Sequence, residues 1–554
     1  MHRPAIPDQI VPILILADGF VSILLAVFAF TLGIDPNPDW GRSRIFIFFI
    51  GVVLICISLI LYKQRPAFTK NETSKIIFSL SHVWAVIFVI YTWFITFGTF
   101  TEWRASTRYY TLLADAFSKG QLHVDVEPGA ALLAATDPYN SESRPGFDDD
   151  VWDLSLYKGR LYLYWGPVPA LLLTPAQLVL KTSFSDMYLV FFFLCGLLIV
   201  NTLIILKLWR LFFPNIRLRH VTLSIFVVGL ILPPLWALSI PDVYEAAIGA
   251  GQFFLVGGIY FLILAFEKNI QKRYLFLAGL FWACSVGSRA INVLPILFLT
   301  ALPLFWIVKN RPKDWMRLTA SLVTPLALGA ILIGWYNYAR FDSPLEFGLR
   351  YQITIYNLNR DLPLAFQADY LPYNIAAYVF QPFEFISGFP FIQPVGFSEL
   401  LQNRAVNEPK LYSAGHMTGM LFFAPFLLFS FVPFFKRKTV EAAEQIHFHL
   451  QKLTIYLLGG SFIISIASLL LYYYGQMRFL LDFISQITLL AILGYWMVIQ
   501  NSKRSKLYLH LANILISITL IASLLLAVTS ESGRMQKLNP LLIHKINTLI
   551  FMDQ

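Results

Sequence analysis

The stretch DMYLVFFFLCGLLIVNTLIIL occupies residues 186–206 and contains no charged side chain after its first residue. A helix needs about 20 apolar residues to cross the hydrocarbon core of a bilayer. This stretch has that length, and Lys207 and Arg210 follow directly after its apolar end. It is therefore predicted to span a membrane with its basic end on the cytoplasmic side.

The composition extends this reading to the whole chain. Of its 554 residues, 57% are hydrophobic and 13% are charged, whereas soluble domains carry roughly 25% charged residues. The net charge of +10 does not indicate a nucleic-acid partner, because membrane proteins gather surplus basic residues in cytoplasmic loops. Cys56, Cys195 and Cys284 lie inside apolar runs, which favours packing over disulfides or metal binding. The predicted fold class is an all-α polytopic membrane protein.

About thirteen segments satisfy the same length rule. The two around residues 274–288 and 292–308 are the shortest of them. The predicted spans are residues 10–33, 44–62, 78–99, 186–206, 220–239, 246–266, 274–288, 292–308, 318–336, 418–435, 453–474, 480–499 and 507–528.

Lysine and arginine residues give the direction of these spans. Alternate short loops are rich in basic residues, and the loops between them hold few beyond Arg42, Arg289 and Arg478. The basic set is predicted to be cytoplasmic, which places the N-terminus inside, the C-terminus outside and the protein in the inner (plasma) membrane. The basic loops contain Lys63, Arg65, Lys70, Lys75, Lys207, Arg210, Arg217, Arg219, Lys268, Lys272, Arg273, Lys309, Arg311, Lys313, Arg317, Lys436, Arg437, Lys438, Lys452, Lys503, Arg504 and Lys506.

One apolar stretch, residues 162–181, does not fit as a span. If it crossed the membrane, the basic residues from Lys207 to Arg219 would lie outside, and three prolines interrupt it. It is predicted to lie at the outer membrane surface, with a kinked span as the alternative.

Two long outer loops result from this topology. We expect residues 100–185 to carry juxtamembrane helices and residues 337–416 to form an aromatic, proline-rich second loop. Both are predicted to pack on the outer ends of one integral-membrane domain, residues 1–554. Within that domain residues 417–554 are predicted to form the C-terminal helices.

The first outer loop concentrates carboxylates, and two of them stand out. Asp115 lies on the polar face of a predicted helix over residues 109–122, and Asp153 lies between Trp152 and an aromatic run. A carboxylate held at the membrane surface can take a proton from an incoming hydroxyl, or help to hold a divalent cation. The alternative for either residue is a helix or turn cap.

Cationic groups also lie at predicted outer helix ends. Arg289 and Arg478 are placed to bind phosphate oxygens, which the arginine fork matches well. Snorkelling or a salt bridge is the alternative, and Arg478 and Asp482 have the spacing of a helical ion pair. His416, His447 and His449 show no metal-ligand spacing, and no nucleotide-binding motif is present.

Three motifs in the first loop resemble bacterial GT-C membrane glycosyltransferases, distant relatives of protein O-mannosyltransferases and aminoarabinose–lipid A transferases. They are RYYTLLADAFSKGQL (108–122), DPYN (137–140) and WDLSLYKGRLYLYWGPVPALLL (152–173). SVGSRAINVLP (285–295), YNYARFDSPLEFG (336–348) and GQMRFLLDF (475–483) agree with such proteins mainly in layout.

The resemblance implies transfer of a sugar from a polyprenyl-phosphate donor to a lipid, glycan or protein acceptor on the outer face of the membrane. It implies a catalytic carboxylate in the first outer loop, for which Asp115 and Asp153 are the candidates. Tyr110, Asp137, Arg289 and Arg478 are the candidates for substrate binding, and a divalent metal ion, Mg²⁺ or Mn²⁺, is a possible cofactor. The expected reaction is an inverting hexosyl or pentosyl transfer.

The chain departs from the family pattern at two points. In the family the large loop usually follows the first helix, whereas here it follows the third, so residues 1–77 are interpreted as two added N-terminal helices. Many relatives carry an acidic pair just before the tyrosines, where this chain has Ser106 and Thr107. The base role then falls to Asp115 or Asp153, or to another acid such as Glu102 or Asp137. A transporter or lipid flippase is the alternative function, although we find no internal repeat, and the spans are nearly free of charge.

Overall fold

The fold is mostly helical. The computed structural model describes residues 11–30, 34–35, 37, 39–64, 72–104, 107–144, 151–267, 269–396, 409, 411–435, 445–501 and 505–551. The predicted basic residues Arg65, Lys70, Lys268, Lys436, Arg437, Lys438, Lys503 and Arg504 lie outside this part, as does Ser106.

The helices of ten or more residues are numbered in chain order. They are α1 Val11–Phe28, α2 Arg42–Gln64, α3 Glu72–Ile95, α4 Tyr109–Ser118, α5 Val168–Leu180, α6 Asp186–Phe212, α7 Leu218–Leu230, α8 Val243–Phe266, α9 Lys272–Val286, α10 Val293–Asn310, α11 Trp315–Phe341, α12 Gln445–Leu470, α13 Ile484–Asn501, α14 Ser505–Thr529 and α15 Pro540–Phe551. The shorter α-helices are Ala130–Ala134, Leu232–Ser239, Leu358–Asp361, Leu371–Ile375, Met420–Phe423, Val432–Phe435 and Arg534–Leu538.

Seven short strands belong to the outer segments and their edges. They are β1 Ser155–Tyr157, β2 Arg160–Tyr162, β3 Phe383–Phe385, β4 Ile392–Gly396, β5 Ser413–Ala414, β6 His416–Met417 and β7 Tyr474–Gly475. β1 and β2 form a hairpin whose two turn residues, Lys158 and Gly159, both have positive φ, as a type I′ turn requires. β4 pairs with both β3 and β6, and the parallel pair β5–β7 ties the second outer loop to the segment before Arg478.

Long apolar helices make the chain a multi-pass membrane protein. By length and composition six helices in the described part can cross a bilayer, so the predicted count of about thirteen is not confirmed. A seventh is added if α7 and Leu232–Ser239, bent by 40° where Pro233 and Pro234 begin the second helix, are one span. The six are Asp186–Phe212, Val243–Phe266, Ala290–Asn310, Trp315–Phe341, His449–Leu470 and Lys506–Thr529.

Other predicted spans form shorter or interrupted helices. Residues 418–435, for example, break into Met420–Phe423, a 3₁₀ segment Pro425–Phe431 and Val432–Phe435. Pro425 and Pro433 lie near the two breaks, where proline cannot donate a backbone hydrogen bond. Sequence length alone does not detect such interruptions.

Residues 162–181 do not form a full-length spanning helix. β2 ends at Tyr162, and α5 begins only at Val168 and has 13 residues. One side of α5 packs on α4, while Leu171, Leu178 and Val179 on the helix remain exposed. The exposed leucines suit a membrane surface, and the location of α5 there stays a prediction.

Glycines allow α8 to pack closely against its neighbour α9. A Cβ at Gly258 would lie 2.2 Å from the indole nitrogen of Trp282, and one at Gly257 would lie 2.4 Å from Phe281. Small residues permit this kind of approach between helices in membranes. The close packing holds α8 and α9 side by side, and Tyr244 at the start of α8 and Arg289 after the end of α9 line the cavity described below.

Two ion pairs connect loops that the sequence predicts to be cytoplasmic. Lys207 pairs with Glu267 at 2.6 Å, and Lys272 pairs with Asp314 at 3.1 Å. These contacts join the basic ends of α6, α8, α9 and α11. The opposite ends of α8 and α9 face the cavity described next.

Candidate active site

A cavity of about 510 Å³ lies where several helix ends meet the two outer loops. Its walls come from the β-hairpin region, the start of α8, the α9–α10 junction, the second outer loop and the end of α12. It is lined by Trp152, Asp153, Tyr164, Trp165, Gly166, Tyr244, Ser288, Arg289, Ala290, Ile291, Leu345, Glu346, Phe347, Leu349, Gln352, Thr354, Ile355, Tyr356, Leu362, Phe366, Leu469, Tyr472, Tyr473, Tyr474, Arg478 and Phe479. Three of the predicted site residues, Asp153, Arg289 and Arg478, therefore share one cavity.

Asp153 is a buried acid on the cavity wall, with 3% of its surface exposed. Its Oδ1 accepts a hydrogen bond from Nε2 of Gln352, while Oδ2 has no hydrogen-bond partner among the described residues. The backbone of Asp153 has φ +59°, a left-handed conformation that side chains rarely adopt. Strain of this kind persists where surrounding contacts enforce it, and it occurs often at functional sites.

Backbone contacts with the second outer loop hold Asp153 in this conformation. The Asp153 amide donates to the Ile353 carbonyl at 2.9 Å, and the Ile353 amide donates to the Leu154 carbonyl at 2.8 Å. The Ser155 hydroxyl donates to the Gly348 carbonyl at 2.8 Å. The two loops, predicted to pack on the same helix ends, in fact form one hydrogen-bonded unit around the acid.

The environment of Asp153 suits a proton acceptor. Burial raises the pKa of its carboxyl to about 6, although the charge of Arg478 and the hydrogen bond from Gln352 act in the opposite direction. A general base works best with a pKa near the operating pH. The Trp152 side chain also favours the charged form of Asp153.

Arg289 lines the cavity, and its charge is paired with that of Asp482. Its Nη2 lies 3.0 Å from Oδ2 of Asp482, and its Nε lies 3.4 Å from Oδ1 of the same residue. The guanidinium also lies over the ring of Phe479, at 5.3 Å from the centroid. A paired guanidinium still attracts an anion, but fewer of its N–H groups are available.

Arg478 is less completely paired. Its nearest acid, Glu245, is 3.8 Å away, which is longer than a hydrogen bond, and its Nε is buried without a partner among the described residues. Its guanidinium lies 4.0 Å from the centroid of the Tyr244 ring. Arg478 is thus a buried cation with donors to spare.

The pairing of Arg478 with Asp482, suggested by their spacing, is wrong. Residues Met477–Asp482 form a 3₁₀ helix with about three residues per turn, so positions four apart point in different directions. Asp482 faces Arg289 instead, and Arg478 faces Glu245.

The structure places Asp115 away from this cavity. As predicted, α4 carries it on an exposed face, and the side chain is 3.4 Å from Nε2 of Gln177. Burial raises its pKa, partly offset by Lys119, but it does not line the cavity. Asp115 and Asp153 therefore do not act on the same bound molecule within it.

Tyr110 and Asp137, two predicted substrate contacts, also lie outside the cavity lining. Tyr110 is fully buried, and its amide donates to Oδ1 of Asp186 at 3.0 Å. Asp137 accepts from Nδ2 of Asn357 at 2.9 Å and from the Tyr139 amide at 3.0 Å. In this arrangement Asp137 links the two outer loops.

Asp186 has a role that the sequence motifs did not reveal. Its carboxylate accepts hydrogen bonds from the Thr107 hydroxyl at 2.7 Å and from the amides of Tyr109 and Tyr110, at the N-terminus of α4. A negative charge is favourable at this end of a helix. Thr107, which stands where many relatives have an acid, thus contacts an acid supplied by α6.

The cavity does not hold an evident metal-binding set. Among the described residues, no three His, Cys, Asp or Glu side chains come together in a way that could bind a metal ion. Asp482 is paired with Arg289, and Glu346 accepts from the Gly348 amide at 2.8 Å. These donors do not fit a site of several hard oxygen ligands.

Several cavity residues are not predicted from the sequence. Tyr472, Tyr473 and Tyr474 stand next to Arg478 in the motif YYYGQMR, and this aromatic run was the available signal. Gln352 gave no signal, because a neutral amide in a loop resembles any solvated residue. Its importance depends on a contact with a residue 199 positions away.

No protein-family model and no curated protein sequence matches the chain. Among solved structures, the apo oligosaccharyltransferase of Archaeoglobus fulgidus aligns over 82% of this chain and 56% of that chain, with 13% identity and a TM-score of 0.45. The same enzyme tethered to an acceptor peptide with the NVT sequon covers 80% and 54%, with 13% identity and a TM-score of 0.44. The complex of A. fulgidus AglB with an inhibitory peptide and a dolichol-phosphate covers 80% and 55%, with 15% identity and a TM-score of 0.41.

The chain spans about half the length of the solved proteins that it matches. Those neighbours are named as oligosaccharyltransferases. At this level of similarity, activity and substrate do not carry over from one protein to the other.

Proposed function

We propose that this protein is a membrane glycosyltransferase that takes a sugar from a polyprenyl-phosphate donor in the cavity around Asp153. The observation that carries the proposal is the meeting of Asp153, Arg289 and Arg478 on the walls of one cavity. One buried acid with a raised pKa and two guanidiniums provide a proton acceptor and a phosphate site.

In the proposed reaction, an acceptor hydroxyl attacks the anomeric carbon of the donor sugar. A new carbon–oxygen bond forms while the bond between that carbon and the phosphate oxygen breaks, and the phosphate leaves with the electron pair. The hydroxyl proton passes to Oδ2 of Asp153. Attack opposite the leaving phosphate inverts the anomeric configuration.

Arg478 is the proposed main contact for the leaving phosphate. Its Nε is buried without a partner among the described residues, and in such an environment charge stabilisation is stronger than in water. Arg289 adds positive potential from its pair with Asp482. This arrangement places a cation where negative charge develops as the donor bond breaks.

The cavity lining fits a sugar joined to an apolar chain. Tyr164, Tyr356 and Tyr472 offer ring faces and hydroxyls for a sugar, and exposed Leu345 and Phe366 form an apolar rim. The outer face of the inner membrane, with a cytoplasmic N-terminus, is the proposed site of reaction. The acceptor is a hydroxyl compound, a lipid, glycan or protein, on that side.

A transporter or lipid flippase is the second candidate, but the position of the cavity favours transfer. Its lining residues lie in loops or within a turn or so of helix ends, including Tyr244, Leu469 and Arg478. Transporters place their binding groups near the middle of the bilayer, on broken helices.

The test is incubation of the purified protein with a panel of radiolabelled polyprenyl-phosphate sugars and candidate acceptors. Release of lipid phosphate together with a labelled product supports the proposal. Movement of labelled lipid across vesicles without any sugar transfer would replace it with the flippase reading.

A further inference from the structure

We propose that Gln352 is the positioning residue of the site, holding Oδ1 of Asp153 so that Oδ2 is the oxygen that receives the acceptor proton. The catalytic role of this orientation rests on the proposed function. The orientation itself rests on the contacts of the carboxylate. The Gln352 side chain lines the cavity, and its Nε2 donates to Oδ1 of Asp153.

The first observation is the asymmetry of the Asp153 carboxylate. Gln352 donates from Nε2 to Oδ1, while the buried Oδ2 has no hydrogen-bond partner among the described residues. A buried carboxylate oxygen without a donor costs free energy unless a ligand satisfies it. The oxygen left open is therefore the one available to a substrate hydroxyl.

The second observation is that Gln352 is itself fixed. Gln352 is 6% exposed, and its backbone N–H donates to the Leu349 carbonyl at 3.3 Å. The neighbouring Ile353 makes two backbone hydrogen bonds with residues 153 and 154. Gln352 therefore moves with the backbone of Asp153. Its side-chain amide is already bonded to Oδ1 before substrate enters.

The charges around Asp153 define what Gln352 adds. Arg478 faces the acid from the segment before α13, Tyr164 from the segment after β2, and Tyr472 from the end of α12. Trp152 is its chain neighbour, and among the described residues no other acid shifts the pKa of Asp153. Gln352 is a neutral donor from the second outer loop, so its removal changes hydrogen bonding without changing net charge.

The test measures the protonation of Asp153 without relying on sugar transfer. A hydrophobic carbodiimide reacts with protonated carboxyls, and mass spectrometry of the peptide that contains Asp153 gives the modified fraction at each pH. In Gln352→Met the midpoint should move about one pH unit higher, because a donor to the carboxylate is lost. Gln381→Met is the matched control: it removes another buried amide of the same loop, which donates to the Val395 carbonyl at 2.6 Å outside the cavity.

A second variant and a second readout keep the test decisive. Gln352→Glu preserves size, and its carboxyl should also raise the midpoint by disfavouring a second negative charge. With an active donor, Gln352→Met should lower kcat by about tenfold or more with little change in KM, as expected for a lost transition-state contact. An unshifted midpoint in both Gln352 variants would overturn the positioning role, while a protein inactive on every donor would overturn the transferase proposal alone.

Discussion

At the scale of single residues, Asp153 combines three features that are each unfavourable in a folded protein. It is buried, its backbone is in the left-handed region, and one carboxylate oxygen has no hydrogen-bond partner among the described residues. Each feature costs free energy on its own. Their concentration at one residue, opposite two arginines, is more typical of a reaction centre than of a cap.

The raised pKa of Asp153 makes activity depend on pH in a defined direction. The base must be deprotonated, so kcat/KM should rise as pH passes upward through about 6 and fall about tenfold per pH unit below it. Titration of Asp115 should leave the rate unchanged, because that residue does not line the cavity. Initial rates between pH 4 and pH 9 measure the profile, and a rate that is flat down to pH 4.5 would contradict the assignment.

Residue-level prediction from the sequence depended on charge. The sequence singles out Asp153 in the first outer loop and Arg289 and Arg478 at expected outer helix ends, and all three line one cavity. Their roles stay predictions. The sequence does not show whether Asp115 or Asp153 is the better candidate for the base, because both suit an outer segment near the membrane surface. The two acids are distinguished by the second loop, which folds onto residues 153–155.

At the scale of elements, close backbone crossings bring the site together. The segment after β2 passes the end of α9, where the Val168 amide donates to the Gly287 carbonyl at 3.0 Å. This crossing places Trp165 and Gly166 on the cavity wall beside Arg289. Glycine at 166 permits the approach.

Replacement of Gly166 by alanine should destabilise this crossing. The added Cβ would lie 2.1 Å from the Gly287 carbonyl oxygen, a backbone atom that cannot rotate away. The expected loss is about 1–3 kcal/mol, the usual effect of overpacking. Thermal unfolding in detergent measures it, with Gly41→Ala as the control because no atom lies within 4 Å of its Cβ position. Equal unfolding temperatures for both variants would contradict the crossing.

Elements were predictable where hydrophobic length decided them and less so elsewhere. The long apolar runs of α6, α8 and α14 were expected from length alone. The breaks at Pro425 and Pro433, and the 3₁₀ geometry of Met477–Asp482, depend on local backbone choices that hydropathy does not report.

At the scale of the whole molecule, the helix ends sort into two sets. Several ends predicted to face outward converge on the cavity, namely the start of α8, the α9–α10 junction and the end of α12. Basic ends predicted to be cytoplasmic are joined by the Lys207–Glu267 and Lys272–Asp314 pairs. The alternation of basic loops predicts which set faces the cytoplasm, and that orientation stays a prediction. The union of the two outer loops was not predictable in detail, because it depends on contacts between distant neutral residues.

The predicted orientation can be tested with single cysteines in a variant lacking Cys56, Cys195 and Cys284. Ser118→Cys, on the exposed side of α4, should react with a membrane-impermeant maleimide in right-side-out vesicles. Asn310→Cys, at the basic end of α10, should react only after permeabilisation. The reverse pattern would place the cavity on the cytoplasmic side.

The most direct measurement of the central claim compares Asp153→Asn with Asp115→Asn in the release of lipid phosphate from a radiolabelled polyprenyl-phosphate sugar. Both variants remove one carboxylate from the same loop, but only Asp153 lines the cavity. We expect Asp153→Asn to lose at least about a hundredfold in rate, and Asp115→Asn to match the unmodified protein. Full activity in Asp153→Asn together with loss in Asp115→Asn would contradict the account and move the base to α4.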